Sequence, residues 1–389
     1  MKIDGVPYRS IWLNSDGWSV DVIDQTRLPH EFEVVNLRNL NDACIAIRDM
    51  IVRGAPLIGA TAAYGFYLAL RDDNSDAGMQ TAYARLLETR PTAVNLRWAL
   101  DRLSGGLSSL SSVDRVAQSL LMANQICELD VETNHAIGKH GLEIIRNIAA
   151  KKKPGEPVNI LTHCNAGWLA TVDWGTATAP MYLAHEEKIP IHIWVDETRP
   201  RNQGANLTAW ELGHHGIDHS VIVDNTGGHL MQNGMVDLCL VGSDRTARNG
   251  DVCNKIGTYL KALAANDNNI PFYVCLPSST IDWTIEKGSD IPIEQRDGKE
   301  VLEVSGRNKN NTIESVFIVP TNTEVTNYAF DVTPARLVTK LITETGTIDS
   351  SEHAIKKVVS KSMTQQLTSE IEVNELTNDA GDSGKSVLT

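Results

Sequence analysis

VNILTHCNAG, residues 158–167, decides how this chain folds. A short β-rich run, Val158 to Leu161, passes directly into Thr162-His163-Cys164-Asn165-Ala166-Gly167, a cluster of polar and turn-forming residues. A run this short and this apolar reads as a strand covered on both faces, with a loop at its carboxyl end. The pattern recurs down the chain. Ile191–Val195 leads into Asp196-Glu197-Thr198-Arg199-Pro200 and Gln203-Gly204, and Ser220–Val223 into Asp224-Asn225-Thr226-Gly227-Gly228. Val236–Val241 leads into Gly242-Ser243-Asp244-Arg245, and Phe272–Leu276 into Pro277-Ser278-Ser279-Thr280. Each gap accommodates a helix, so the runs predict βαβ units in an α/β, Rossmann-like parallel sheet over residues 151–349. Ligands of such sheets bind outside the carboxyl ends of the strands. Five polar loops at that edge therefore predict one composite site.

Upstream, KKKPGEP at 151–157 is a basic, Pro/Gly-containing stretch and the expected boundary with residues 1–150. That earlier part opens with β-type runs, Ser10–Leu13 and Trp18–Val22, that predict a small hairpin unit. It then becomes helical in texture: Asn41–Ile51 behind a good N-cap, Ile58–Leu70, Ala93–Leu103 after a proline, and Val113–Ala150. Residues 350–389 form a polar, acidic tail, and its last 20 to 25 residues are expected to be disordered.

The 389 residues carry a formal charge of −14, which argues against non-specific binding to nucleic acid or to an anionic membrane. No apolar stretch reaches the ~18 residues of a membrane span, and the N-terminus lacks the pattern of a secretory signal. The expected location is the cytoplasm. Six scattered cysteines without a CxxC pair are expected to be free thiols. No dinucleotide or P-loop fingerprint, no zinc ligand set and no GxSxG elbow is present, so the reading requires neither metal nor cofactor. Proton chemistry remains. Cys164 and Asp244, each following a strand, are candidates for an acid/base pair if burial brings both toward neutrality. Arg53 before Gly54-Ala55-Pro56, Arg90 ahead of a helix, and Lys255, read as opening a helix, are candidate holders of one phosphate.

Taken together, RGAPLIGATAAYG (53–65), RPTAVNL (90–96), LTHCNAG (161–167), DETRPRNQGANLTAWEL (196–212), GSDRTARNGDVCNKIGTY (242–259) and FDVTPARLV (330–338) resemble the methylthioribose-1-phosphate isomerase family. That family is shared with ribose-1,5-bisphosphate isomerases and with regulatory subunits of a translation-initiation guanine-nucleotide exchange factor. The resemblance covers residues 1 to about 345. It implies a helical N-terminal domain, a Rossmann-like C-terminal domain, a homodimer and no cofactor. The implied reaction converts 5-methylthioribose 1-phosphate to 5-methylthioribulose 1-phosphate in methionine salvage. It places substrate and phosphate contacts at Arg53, Gly54, Ala55, Arg90, Gln203, Asn254 and Lys255, with Asp244 as proton donor and Cys164 acting at C1/C2. Trp168, Trp174, Asn206 and Asn225-Thr226-Gly227-Gly228 depart from the family's usual residues. Trp168 and Asn225 are thereby specificity candidates, and 5-deoxyribose 1-phosphate is the alternative substrate. From another class, the alternative is a non-catalytic subunit like the exchange-factor relatives. A ribose 1,5-bisphosphate would need a further basic cluster, which the sequence lacks.

Overall fold

The computed structural model describes residues 1–91 and 93–357. Most of the expected tail, including the segment expected to be disordered, lies outside the described residues.

The N-terminal hairpin has a third strand: Ile11–Leu13, Val20–Ile23 and Val34–Leu37 form one antiparallel sheet. The helical stretch that follows starts with Leu40–Arg48, capped by Asn39, whose side chain accepts the N–H of Asp42. Ala55–Asp72 is apolar almost all round, and it is correspondingly buried from Leu57 to Leu70 at the centre of the first core. Asp76–Thr89 is a helix the sequence reading passed over; its more polar faces weaken the periodic signal, but Ser75 caps it through the Gly78 N–H. Val94–Leu107 and the long Ser112–Ala149 complete the layer.

The five β-rich runs all become strands of one seven-stranded sheet. Its order is Gly346–Ile348, Lys340–Thr343, Phe272–Cys275, Leu238–Val241, Val158–Thr162, Ile191–Asp196, His219–Ile222. Every neighbouring pair is parallel except the outermost, Lys340–Thr343 with Gly346–Ile348. The chain runs outward from Val158–Thr162 to His219–Ile222, then returns to the other side of Val158–Thr162 as Leu238–Val241. Strand order therefore reverses between those two strands, and such a switch point leaves a crevice at their carboxyl ends. Cys164 follows one of them and Asp244 the other.

A second sheet, Ile281–Asp282, Arg245–Ala247, Val252–Lys255 and Phe330–Thr333, stands over this edge. It corrects one expectation. Lys255 does not open a helix: Asn254 and Lys255 end a buried strand paired with Asp331 and Phe330, and the helix starts later, at Thr258. All four residues of Val252-Cys253-Asn254-Lys255 are buried, and the two polar ones at its end give no strand signal in the sequence. The second hydrophobic core joins Ile137, Leu142 and Ile145 of the long helix to Ile160, Ile193 and Leu240 of the sheet.

Candidate active site

The crevice is occupied by the loop at residues 162–167. After Thr162, the backbone turns sharply at Cys164, whose φ of 65° lies in the left-handed region. For a residue with a Cβ this costs roughly 1–3 kcal/mol, and surrounding contacts must hold it. Two threonines do so. Thr198 Oγ1 accepts the Cys164 N–H at 2.8 Å, and Thr208 Oγ1 donates to the Cys164 carbonyl at 2.9 Å. Thr198 is itself fixed by its N–H to Asp224 Oδ1 at 2.7 Å. Asp244 donates its backbone N–H to the Cys253 carbonyl at 3.0 Å, which ties it to the second sheet. Cys164 and Asp244 line the same cavity, together with Arg53, Gly54, Ala55, Arg90, Gln203 and Lys255. Burial pushes both the thiol and the carboxyl above their ordinary values, and the nearby Lys255 and Arg53 charges pull each part of the way back.

The cations are held in different ways. Arg53 donates from its guanidinium to Asn165 Oδ1 at 2.6 Å and to the Asn165 carbonyl at 2.9 Å. Gly54 beside it has φ +96°, and a Cβ there would lie 2.3 Å from the Ala170 carbonyl oxygen, so only glycine fits. Helix Ala55–Asp72 begins at this point, offering unpaired N–H groups at its first turn. Lys255 is buried with its ammonium 4.8 Å from the centre of the Phe330 ring. Burial lowers its pKa, opposed by Cys164 and Asp244. Among the described residues, neither Arg53 nor Lys255 has a carboxylate within ion-pair distance. Arg90, by contrast, is bound to Glu294 at 3.1 Å. Glu294 also takes Arg296 at 2.9 Å, and Arg296 is held by Glu300 at 2.7 Å. Gln203 is buried, and its Oε1 has no partner in the protein.

Three of the five expected loops form this cavity. The loop after His219–Ile222 supports it from behind through Asp224, and Pro277, Ser278 and Ser279 line a separate cavity with Asn95 and Trp98. Asn254 points away, donating to Thr258 Oγ1 at 3.1 Å. Neither specificity candidate reaches the cavity. Trp168 is fully buried in the second core, its ring 6.2 Å from that of Trp210, and Asn225 is exposed at the start of helix Thr226–Gln232. Trp174 stacks on His135, with ring centres 4.8 Å apart. The sequence reading missed Met50, Ile58, Ile291, Pro292, Arg296 and Phe330, which also line the cavity. All of them lie outside the quoted strand-end loops, although Ile58 and Phe330 fall within the motifs at 53–65 and 330–338, and only the tertiary fold brings them there.

His163, Asp196 and Asp224 come close enough together to hold a metal ion. Most of their atoms, however, already have protein partners, although Asp196 Oδ1 has none. His163 Nδ1 is 2.8 Å from Asp196 Oδ2, its Nε2 is 2.8 Å from the Ile256 carbonyl, and Lys261 reaches Asp196 at 3.2 Å. His163 and Asp196 form a buried strut joining the Cys164 loop to the segment after Lys255.

Residues 51–350 match the model of the initiation factor 2 subunit family. A methylthioribose-1-phosphate isomerase of Sinorhizobium medicae is 61% identical over 357 residues, covering 92% of this chain and 98% of the relative. The chain belongs to the methylthioribose-1-phosphate isomerase family. Among solved structures of the wider family, 5-methylthioribose 1-phosphate isomerase of Pyrococcus horikoshii is 38% identical, with TM-score 0.78, covering 91% of this chain and 96% of that one. A translation initiation factor eIF-2B delta subunit from A. fulgidus is 39% identical, with TM-score 0.75, covering 91% of this chain and all of the other. The two structural likenesses are nearly equal, so the fold alone does not separate enzyme from subunit within the family.

Proposed function

We propose that this protein is an aldose–ketose isomerase converting 5-methylthioribose 1-phosphate to 5-methylthioribulose 1-phosphate in methionine salvage. The observation that carries the reading is the charge at the cavity: Arg53 and Lys255 face the Asp244 carboxyl and the buried Cys164 thiol without carboxylate partners within ion-pair distance among the described residues. A structural subunit gains nothing from such an imbalance, whereas a phosphate dianion neutralises it. The unpartnered Gln203 Oε1 suits a sugar hydroxyl.

The chemistry follows from the residue states. A 1-phosphate locks the anomeric carbon, so ring opening needs an acid at the ring oxygen. Asp244, with its pKa raised by burial, is suited to donate that proton. Hydrogen must then pass from C2 to C1. Burial favours the neutral thiol of Cys164, which supports a hydride shift past an uncharged neighbour over abstraction by a thiolate. In that route the C2 hydride moves to C1, the C2 hydroxyl loses its proton and becomes the ketone, and the Asp244 carboxylate is placed to take that proton back. The alternative, an enediol with Cys164 thiolate as base, draws on Arg53 and Lys255 to stabilise the thiolate.

Incubating the protein separately with methylthioribose 1-phosphate, 5-deoxyribose 1-phosphate and ribose 1,5-bisphosphate, with NMR detection of ketose, tests the substrate. Turnover of the first is expected, and no turnover of any sinks the enzyme reading. In D2O, retention of the C2 hydrogen at C1 is expected, and deuterium at C1 would point to the enediol. A cytoplasmic homodimer fits this reading; an apolar patch for the dimer is offered by Val221, exposed on the outer strand His219–Ile222, and Val223 just after it, and light scattering at a monomer's mass would exclude the dimer.

A further inference from the structure

Arg53 presents its charge to the cavity yet lacks a carboxylate partner, and its orientation therefore needs another explanation. Both of its bonds run to Asn165, one to the side-chain oxygen at 2.6 Å and one to the backbone carbonyl at 2.9 Å. An amide has one accepting end and one donating end, so the other end of Asn165 fixes which way it faces. That end, Nδ2, donates to Glu211 Oε1 at 3.0 Å and to Thr208 Oγ1 at 3.2 Å. Glu211 is fully buried on helix Ala209–His214. Its Oε1 also accepts the Leu169 N–H at 2.9 Å, and its Oε2 the Tyr182 hydroxyl at 3.0 Å. The loop is wrapped closely round it: a Cβ on Gly167 would lie 1.7 Å from Glu211 Oε2. Glu211 touches no part of the cavity itself.

We infer that Glu211 is a positioning residue, the counterion of Arg53 acting through the Asn165 amide, which anchors the guanidinium from behind and leaves its cavity side free for the substrate's phosphate. The inference rests on the isomerase reading for the identity of that phosphate ester, but not for the geometry. It also accounts for a carboxylate in full burial, which without a nearby positive charge is costly. The groups facing Glu211 are Asn165 and Leu169 on the loop, Tyr182 on helix Ala179–Glu186 with His215 against its ring, and the Arg53 charge beyond Asn165. Burial raises the Glu211 pKa to about 7, opposed by these donors and by Arg53. The charge that holds Arg53 is thus present above about pH 7 and lost below it.

Glu211→Gln isolates the charge, because an amide oxygen still accepts from Asn165 and Leu169 while its NH2 donates to Tyr182. The expected result is a rise in KM for methylthioribose 1-phosphate of about tenfold with a much smaller change in kcat. The wild type should lose affinity as pH falls through about 7, and the variant should lack that limb, keeping only the limb of the phosphate's own titration near pH ~6. Tyr182→Phe removes one donor to the carboxylate without touching Arg53, and should move the wild-type limb to higher pH. Calorimetry with inorganic phosphate reads the same positioning without turnover, with Glu211→Gln binding about tenfold more weakly. Absence of wild-type turnover would therefore sink the isomerase reading and leave this inference to calorimetry. Unchanged KM, phosphate affinity and pH profile in Glu211→Gln, or an unmoved limb in Tyr182→Phe, would overturn it.

Discussion

Replacing Lys255 by methionine should damage function and improve stability at once. Lys255 is 8% exposed, and its ammonium has no ion-pair partner among the described residues. Burying such a charge costs several kcal/mol after relaxation. The Phe330 ring, 4.8 Å away, returns about 2 kcal/mol of this, and the attraction of Asp244 and Cys164 acts from beyond contact. Methionine fills nearly the same volume without the charge, so Lys255→Met should stabilise the free protein by about 1–3 kcal/mol, seen as a rise of roughly 2–6 °C in melting temperature. The same change removes a charge-assisted bond to the phosphate, worth about 2–5 kcal/mol, so KM should rise about 30-fold or more. The sign with pH also follows. Burial lowers the Lys255 pKa from its ordinary 10.5, so above the folded value the unfolded chain binds more protons than the native one. Wild-type stability then gains on the variant as pH rises toward 10.5, and the gap in melting temperature should narrow. Differential scanning fluorimetry across pH, with steady-state kinetics, measures both halves. A lower melting temperature in Lys255→Met would refute the argument that this cation is held against its own solvation for a ligand.

Cys164→Ser and Asp244→Asn should each lower kcat by about 10²–10⁴-fold while circular dichroism and melting stay near wild type; near-normal turnover in either would remove that residue from its role. As Asp244 must donate a proton, kcat/KM should fall as pH rises through its raised pKa, and Asp244→Asn should abolish that limb of the profile. Glu294→Gln releases Arg90 and Arg296 from a shared carboxylate, so inorganic phosphate should inhibit several-fold more strongly, and weaker inhibition would mean that Glu294 orients the arginines. Trp168→Phe opens space in the second core and should cost about 1–3 kcal/mol of stability, leaving the preference between methylthio- and deoxyribose 1-phosphate unchanged; a switch in preference would return Trp168 to the specificity role it was first given.

The parallel sheet was legible because buried strands and strand-end loops differ sharply in composition, and Cys164 and Asp244 could be placed by strand position alone. What escaped had weaker local signals. Val252–Lys255 mixes apolar and polar residues on a buried strand of the second sheet, so its last residues read as loop. Asp76–Thr89 carries its apolar residues on a narrow face. Arg296 enters the cavity by a long path from beyond the last quoted loop, and no spacing announces it. For Trp168 the sequence allows two readings, a wall of the pocket or a filler of the core, because nearness to Cys164 in sequence does not give the side on which the indole lies. The short helix Trp168–Ala170 turns the indole to the opposite side of the loop, into the core.

The same loop shows how one scaffold can serve both an enzyme and a structural subunit. The left-handed turn at Cys164, the close packing of Gly167 on Glu211 and the His163–Asp196 pair are architectural, and any member that keeps the fold has a reason to keep them. Lys255 and the Asp244 carboxyl are different, because their surroundings disfavour the charged form of each, a cost the fold itself does not require. A lineage freed from catalysis would be expected to lose those charges first, since their replacement by apolar residues stabilises the protein. Their joint presence here, on a backbone about equally similar to an isomerase and to an initiation-factor subunit, is therefore stronger support for catalysis than the fold itself.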